Sequence, residues 1–468
     1  MSRTGLTRGG LRLSPFRGLR YAPERVGSLA AVTSPPYDVV VRPDGLRHLE
    51  TADPYNIVRL ILPHGADPAV CHRQAGETLR RWRAEGVLRA DPEPALYVYE
   101  QYGEGLLQRG LIGALRLSPP EEGVVLPHED VMPDVVADRA ALMRATAANL
   151  EPLLLTYRGD DAEDGDGSGE GGDGGDGGPR GAAAVIERAV RGAPLLTTVT
   201  EDGRRHRLWA VTDPAELAEA DADLSRRRAL IADGHHRWAT YLRLREEQPS
   251  PGPWDSGLVL LVDTARHPLR VRAIHRLLPR LPLPEALDAL RGAFRVRRVD
   301  GPLPHALKAL GDPAEPTERG TGTTGGDEDG SLAGASADPG ATGNAFLLAG
   351  DDGSFHLVDR PDPALLARTV PAGRPRAWRT LDATVLHSVL LGRIWEVPDD
   401  PEHIRYIHDA AAAVEQVERH GGTAVLMRPV REETVRHLAE QGVMMPRKST
   451  SFGPKPATGL VLRSLGTD

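Results

Sequence analysis

The stretch Ala229-Leu230-Ile231-Ala232-Asp233-Gly234-His235-His236-Arg237-Trp238-Ala239-Thr240 constrains this chain more than any other. Four apolar residues in a row read as a short buried strand, and Asp233-Gly234 ends it. From His236 onward, Trp238, Tyr241, Leu242 and Leu244 recur at helical spacing through Glu247. A strand, a glycine turn and a helix start place free backbone N–H groups and a positive dipole end where an anion can meet them. Gly234, His235, His236 and Arg237 are therefore candidate phosphate-binding residues. Arg237 is the sharpest of them, because its fork gives two parallel bonds to phosphate or carboxylate. The competing reading pairs Arg237 with Asp233 in a purely structural turn. Adjacent histidines make a poor metal pair, since chelation from a helix uses positions i and i+4.

With 468 residues the chain has material for two or three domains. Its hydrophobic share of 40% and charged share of 26% are those of an ordinary globular protein. One cysteine, Cys71, forms no internal disulfide and fits a reducing, cytoplasmic setting. It falls in an expected amphipathic helix, where it packs rather than reacts. No apolar run is long enough for a membrane span, and the N-terminus lacks the apolar core of a secretory signal. The net charge of −9 is misleading. The tract 160–178 holds eight acids and no base, and 311–344 holds seven acids and one arginine. Together they carry −14 and leave the remainder at +5, mildly basic and suited to a small anionic ligand. Both tracts read as disordered, being too polar to bury anything.

The expected organisation is a flexible leader over 1–15, a core over 16–310 carrying the first tract, a linker over 311–344, and a C-terminal α/β part over 345–468. Pro54 to Leu62 reads as a strand, Asp67 to Glu85 as a helix, and Leu96 to Leu117 as a hairpin about Gly103-Glu104-Gly105. A second hairpin turns at Asp202-Gly203, and Gly257 to Asp263 is a continuous apolar strand. In Pro35-Pro36-Tyr37-Asp38 the double proline stiffens the backbone, so Asp38 is placed as a general base should be. Leu126-Pro127-His128-Glu129-Asp130 sets an imidazole beside two carboxylates but lacks the second histidine of a metalloprotease helix. Near the C-terminus, Met445-Pro446-Arg447-Lys448-Ser449-Thr450-Ser451-Phe452-Gly453-Pro454-Lys455 offers two lysines, an arginine and three hydroxyl residues on constrained backbone. Lys448, Ser449 and Thr450 are candidates to grip phosphate, the competing reading being a basic surface loop.

Pro35-Pro36-Tyr37-Asp38-Val39, Pro54-Tyr55-Asn56-Ile57-Val58-Arg59-Leu60, His128-Glu129, Ala232-Asp233-Gly234-His235-His236-Arg237 and Met445 to Thr450 resemble, in this order, the signature stretches of the bacterial family called domain of unknown function 1015. The Asp-Gly-His-His-Arg turn is also similar to the phosphate-binding turn of the ParB/sulfiredoxin superfamily, which includes partition CTPases, sulfiredoxins and free-serine kinases. That resemblance implies a mixed α/β fold with a ParB-like nucleotide-binding core. It implies a nucleotide (ATP, ADP or CTP) on Gly234, His235, His236 and Arg237. The cysteine of sulfiredoxin is absent from the turn, which argues against sulfinic-acid chemistry.

The leading expectation is phosphoryl transfer between a nucleotide and a small hydroxylated metabolite, free serine or phosphoserine first. Asp38, Glu129 and His236 are the catalytic candidates, and Asp233 and Glu129 the candidates for Mg²⁺. The alternative is a ParB-like nucleotide-binding regulator that turns over no metabolite. Nucleic-acid binding ranks last, because aromatics are 4% of the chain and no basic stripe is present. The oligomeric state is not legible.

Overall fold

The computed structural model describes residues 9–40, 43–160, 178–311 and 343–466. The fold is mixed α/β, in two compact units: Met1–Arg270 with Phe452–Asp468, and Val271–Ser451. Both glycine-acid tracts, at 161–177 and 312–342, lie outside the described residues, as do residues 1–8. Among the described residues no helix is long and apolar enough to cross a membrane.

The strands of the first unit before residue 270, in chain order, are β1 (Leu13–Ser14), β2 (Gly18–Tyr21), β3 (Leu88–Ala90), β4 (Leu96–Gly103), β5 (Leu106–Arg116), β6 (Val125–Leu126), β7 (Ala148–Asn149), β8 (Leu153–Tyr157), β9 (Leu196–Val199), β10 (Arg205–Val211), β11 (Ala229–Asp233) and β12 (Ser256–Asp263). Its helices are α1 (Leu29–Val32), α2 (Pro43–Ala52), α3 (Val58–Ile61), α4 (Pro68–Ala84), α5 (Pro133–Thr146), α6 (Gly181–Ala189), α7 (Pro214–Leu224) and α8 (His235–Glu247). One large sheet runs β6-β11-β8-β12-β5-β4-β10-β9, with β1 on β5. Strands β8 and β11 are buried along their whole length, as continuous apolar runs in a covered sheet should be. Trp238, Tyr241 and Leu244 of α8 pack into the same core as Leu153, Leu155 and Ile231.

Three expectations are corrected here. The leader is shorter than 1–15, because Leu11 and Leu13 are core residues at 0% and 4% exposure. Pro54 to Leu62 ends in the helix α3 rather than a strand. Asn56 decides this: its Oδ1 accepts from Val58 N at 2.9 Å, and its Nδ2 donates to the carbonyls of Ala31 and Thr33. An Asx turn of this kind starts a helical turn despite the β-branched residues that follow. Finally, the tract at 311–344 does not separate domains. Strand Arg295–Val299 before it pairs with Phe355–Asp359 after it, which pairs in turn with Ala345–Ala349. The tract is thus an insertion within one sheet.

That sheet, in the second unit, continues antiparallel through Thr423–Leu426, His275–Leu278 and Arg405–Ile407. Alternation along it is strict: Phe346, Leu348 and Val425 enter one cluster, and Leu347, Ala349, Ala424 and Leu426 enter another. The chain then returns to the first unit. Leu462–Ser464 pairs with β2 and β7, and Thr458 exchanges backbone hydrogen bonds with Ser34.

Candidate active site at the start of α8

The turn after β11 is shaped by a bulge. Ile231 pairs with Leu155, but Asp233 pairs with Leu154, so Ala232 is an extra residue. Side chains alternate across a strand, so this slip moves Asp233 off the face that Ile231 and Leu155 share with the apolar core. Gly234 follows at φ 100°, a left-handed conformation that glycine adopts without penalty. A Cβ there would also lie 2.9 Å from Leu153 Cγ and 3.2 Å from Arg237 Nη2. Gly234 supplies no side-chain cap to α8.

A row of alternating charges is built behind this turn. Arg237 Nη2 donates to Asp233 Oδ2 at 2.6 Å, and Lys455 Nζ lies 2.6 Å from Asp233 Oδ1. Lys455 also donates to Asp38 Oδ2. On the other side Arg237 Nη1 donates to Pro152 O at 3.2 Å and lies 3.9 Å from Glu151 Oε2. Glu151 Oε1 accepts from Tyr37 N at 2.9 Å, and the Tyr37 ring is overlaid by the guanidiniums of Arg139 and Arg237. Burial alone would raise the Asp233 carboxyl; the charges of Lys455 and Arg237 outweigh it and hold it down at about 2. Burial opposes the charge on Lys455, but Asp233 and Asp38 reverse that and keep it protonated. Burial raises Glu151 above the usual carboxylate range, against the pull of Arg237. Two polar atoms of the row are buried with no hydrogen-bond partner among the described residues: Asp38 Oδ1 and Arg237 Nε.

The histidines hold a loop. His235 Nε2 accepts from His128 N at 3.3 Å, and His236 Nε2 accepts from Met132 N at 3.1 Å. The rings of His128 and His235 meet edge to face at 4.4 Å. Burial, then the neighbouring His235, hold His128 neutral, down at about 3. Glu129 therefore sits on a loop fastened to the first turn of α8 at two points. An imidazole nitrogen that accepts from a backbone amide carries no proton, which fixes the tautomer of both rings.

The structure thus joins Asp38 to Asp233 through Lys455 and brings the Glu129 loop to His235 and His236. Two expectations change. Arg237 is 4% exposed and turned inward onto Asp233, because a guanidinium packed under Gly234 is paired most cheaply by the nearest carboxylate. Asp233 is not disposed to ligate Mg²⁺, since its two oxygens already face two cations. Among the described residues no group of three or more His, Cys, Asp or Glu is placed to hold a metal ion. Sequence reasoning missed Glu151, and it counted Lys455 among the donors of the terminal stretch while choosing Lys448, Ser449 and Thr450 for the site; the available signal for Lys455 was its place between Pro454 and Pro456, among only three lysines in the chain.

Lys448, Ser449 and Thr450 belong to the second unit. There Arg276, 0% exposed, donates to the carbonyls of Ile274 (2.5 Å), Arg447 (3.3 Å) and Lys448 (3.1 Å). Its Nη2 lies 3.0 Å from His387 Nε2, and its guanidinium 4.6 Å from the Tyr406 ring centre. Lys448 takes a left-handed φ of 53°, and Ser449 Oγ donates to Pro446 O.

The model of the family described as "Protein of unknown function (DUF1015)" matches residues 13–165 and 177–384. The chain belongs to the DUF1015 family. Four of the five signature stretches lie inside the matched residues; Met445 to Thr450 lies beyond them, as does Lys455. No curated protein matches this DUF1015 chain. Solved structures similar to it include a free serine kinase in complex with AMP, at 13% identity and a TM-score of 0.32, covering 70% of this chain and 84% of that one. A conserved hypothetical protein from Pyrococcus furiosus gives 12%, 0.31, 70% and 87%. C-terminally truncated SbnI from Staphylococcus aureus gives 10%, 0.30, 72% and 82%.

Proposed function

We propose that this chain transfers a phosphoryl group between a nucleotide and a small hydroxylated metabolite, at the start of α8. The observation that carries the reading is Lys455, a protonated ammonium held between Asp38 and Asp233 next to the glycine turn. An ammonium has three N–H donors. Two are aimed at carboxylates, so the third is available to a phosphoryl oxygen, with the α8 amides supplying further donors. Asp38 is the group to orient the acceptor. Its Oδ2 is fixed by Lys455, and its orphaned Oδ1 is an acceptor for a substrate hydroxyl. The hydroxyl oxygen bonds to phosphorus, the bridging P–O bond breaks, and the proton passes to Asp38. Glu129, rather than Asp233, is the carboxylate for a Mg²⁺ carried in with the nucleotide. Free serine is the first acceptor to test, on the resemblance of the Asp-Gly-His-His-Arg turn to the ParB/sulfiredoxin superfamily.

The test is a thermal-shift series of the full chain with ATP, ADP and CTP, with and without Mg²⁺, followed by phosphorus NMR of mixtures containing serine. A bound nucleotide at about 100 times its Kd adds ~2.7 kcal/mol of stability. Asp38→Asn should keep that shift and lower turnover by about 10²–10⁴-fold. Binding without turnover by the natural chain would favour the regulator reading. If no nucleotide moves the transition, the site is not a nucleotide site.

A further inference from the structure

The segment that brings Lys455 to the carboxylates is irregular backbone, and one face of β4, β5 and β10 grips it. Gln101, Gln108 and His206 are cross-strand neighbours on that face. Gln101 Nε2 donates to the carbonyls of Pro454 (3.2 Å) and Lys455 (3.3 Å), and Gln108 Nε2 donates to Pro454 (3.1 Å). Ala457 N donates to Tyr99 Oη at 3.1 Å. Behind it, Tyr99 Oη lies 2.9 Å from His206 Nδ1, and His206 Nε2 lies 2.9 Å from Thr200 Oγ1. Thr200 Oγ1 in turn donates to Asp202 Oδ1 at 2.6 Å. Tyr99 and His206 are 1% and 2% exposed.

The directions in this chain are determined. A backbone amide can only donate, so the Tyr99 oxygen accepts from Ala457 and its one proton points at His206 Nδ1. His206 is then the Nε2–H tautomer and donates to Thr200. The Thr200 proton has two acceptors in reach, Asp202 Oδ1 at 2.6 Å and Arg204 O at 3.2 Å, and either choice leaves the directions from Ala457 to Thr200 unchanged. Burial keeps His206 neutral, at about 4, as an acceptor at Nδ1 requires.

We propose that Tyr99 and His206 are positioning residues for Lys455: their buried hydrogen-bond chain fixes the backbone at Ala457 and so sets the ammonium between Asp38 and Asp233. The catalytic consequence rests on the function proposed above, but the placement of Lys455 can be measured with no nucleotide present.

The chain has three lysines, and Lys308 is exposed, so trace acetylation of the native full-length protein read by mass spectrometry carries its own internal reference. In the natural chain Lys455 should react far more slowly than Lys308. Tyr99→Phe and His206→Leu should each raise the Lys455 rate about tenfold relative to Lys308, by loosening the 454–457 segment. His206→Asn, whose amide oxygen can still accept near the Nδ1 position, should stay within about twofold of the natural chain. An unchanged Lys455 rate in Tyr99→Phe and His206→Leu overturns the proposal, as does an equal rise in His206→Asn and His206→Leu. Should Tyr99→Phe fail to fold by circular dichroism, the His206 pair decides alone. If the natural chain shows no nucleotide response, the phosphotransferase reading falls while the acetylation pattern still decides this one. If it does turn over, Tyr99→Phe should lower kcat with little change in nucleotide KM.

Discussion

Arg237 in the first unit and Arg276 in the second are both buried, at 4% and 0% exposure, yet their surroundings differ in kind. Arg237 faces a carboxylate at 2.6 Å, and that carboxylate faces a second cation, Lys455. Arg276 directs its N–H groups to the backbone carbonyls of residues 274, 447 and 448, with an imidazole and a tyrosine ring around it. Burying a charge is costly unless it is paired and hydrogen-bonded. Formal charge does this for Arg237, and peptide dipoles contribute for Arg276. The first arrangement builds a polar row that ends on an orphaned carboxylate oxygen. The second shapes a turn. Two stretches that look alike in sequence, each basic and punctuated by Gly or Pro, thus lead to different chemistry.

The comparison breaks most readily at Asp233. Asp233→Ala leaves Arg237 and Lys455 without their shared partner, and removing one member of a buried ion pair costs about 3–5 kcal/mol. Arg276→Met should cost less, about 2 kcal/mol, since the loss of its carbonyl hydrogen bonds is partly offset by no longer burying a formal charge. Urea unfolding of the two variants measures both. Equal losses would mean that the charge row is no more than a second scaffold.

Acid sharpens the contrast next. His128 and His206 in the first unit, and His275 and His387 in the second, are held neutral by burial, at about 3 for His128 and about 4 for the rest. The unfolded chain takes protons at these positions near pH ~6.5. Between there and the lower folded values the unfolded state binds more protons, so stability falls on acidification, by at most ~1.4 kcal/mol per pH unit for each histidine. This contribution is complete above about pH 6.5. The contribution of Asp233, whose folded value is depressed, is lost later, as the pH falls from ~3.9 through the folded value. Calorimetry from pH 7 downward should therefore show loss in both units first, and a further loss in the first unit below pH ~4. A flat profile down to that point would contradict the neutral histidines.

The smallest effect tests the histidine fastenings. His236→Ala removes the acceptor for Met132 N, worth about 1 kcal/mol, and should speed hydrogen exchange at Met132. His236→Gln keeps an acceptor at nearly the same reach and should slow it again. If the two variants exchange alike, His236 does not fasten the loop, and its ring has another role.

Much of this was readable from residue order. The apolar run 229–232, the Asp-Gly break and the helical spacing of Trp238, Tyr241 and Leu244 are local signals, and the structure forms β11, the left-handed Gly234 and α8 from them. The two hairpins were legible for the same reason. What was not legible depends on distant partners. Asn56 starts a helix through carbonyls at residues 31 and 33, and no window around Pro54 to Leu62 contains them. Lys455 looks like part of a basic tail until the Ser34 and Thr458 backbones meet. The inward turn of Arg237 follows from its packing under Gly234, which spacing does not reveal.

The pairing of Asp38 with Lys455 also bears on how the protein is made. The partners are 417 positions apart, and the whole second unit is threaded between the two pieces of the first. A ribosome that has released Asp38, Asp233 and Arg237 has still to synthesise unit two before the lysine exists. Until then the nascent first unit holds two carboxylates whose shared cation has not been built, and β2 and β7 lack the strand Leu462–Ser464 that pairs with both. Closing so long a loop costs only slightly more entropy than closing a medium one, because the cost grows with the logarithm of length. Order of synthesis, rather than loop entropy, therefore keeps this site from forming until unit two has been made, and a chain cut short before Phe452 cannot complete it.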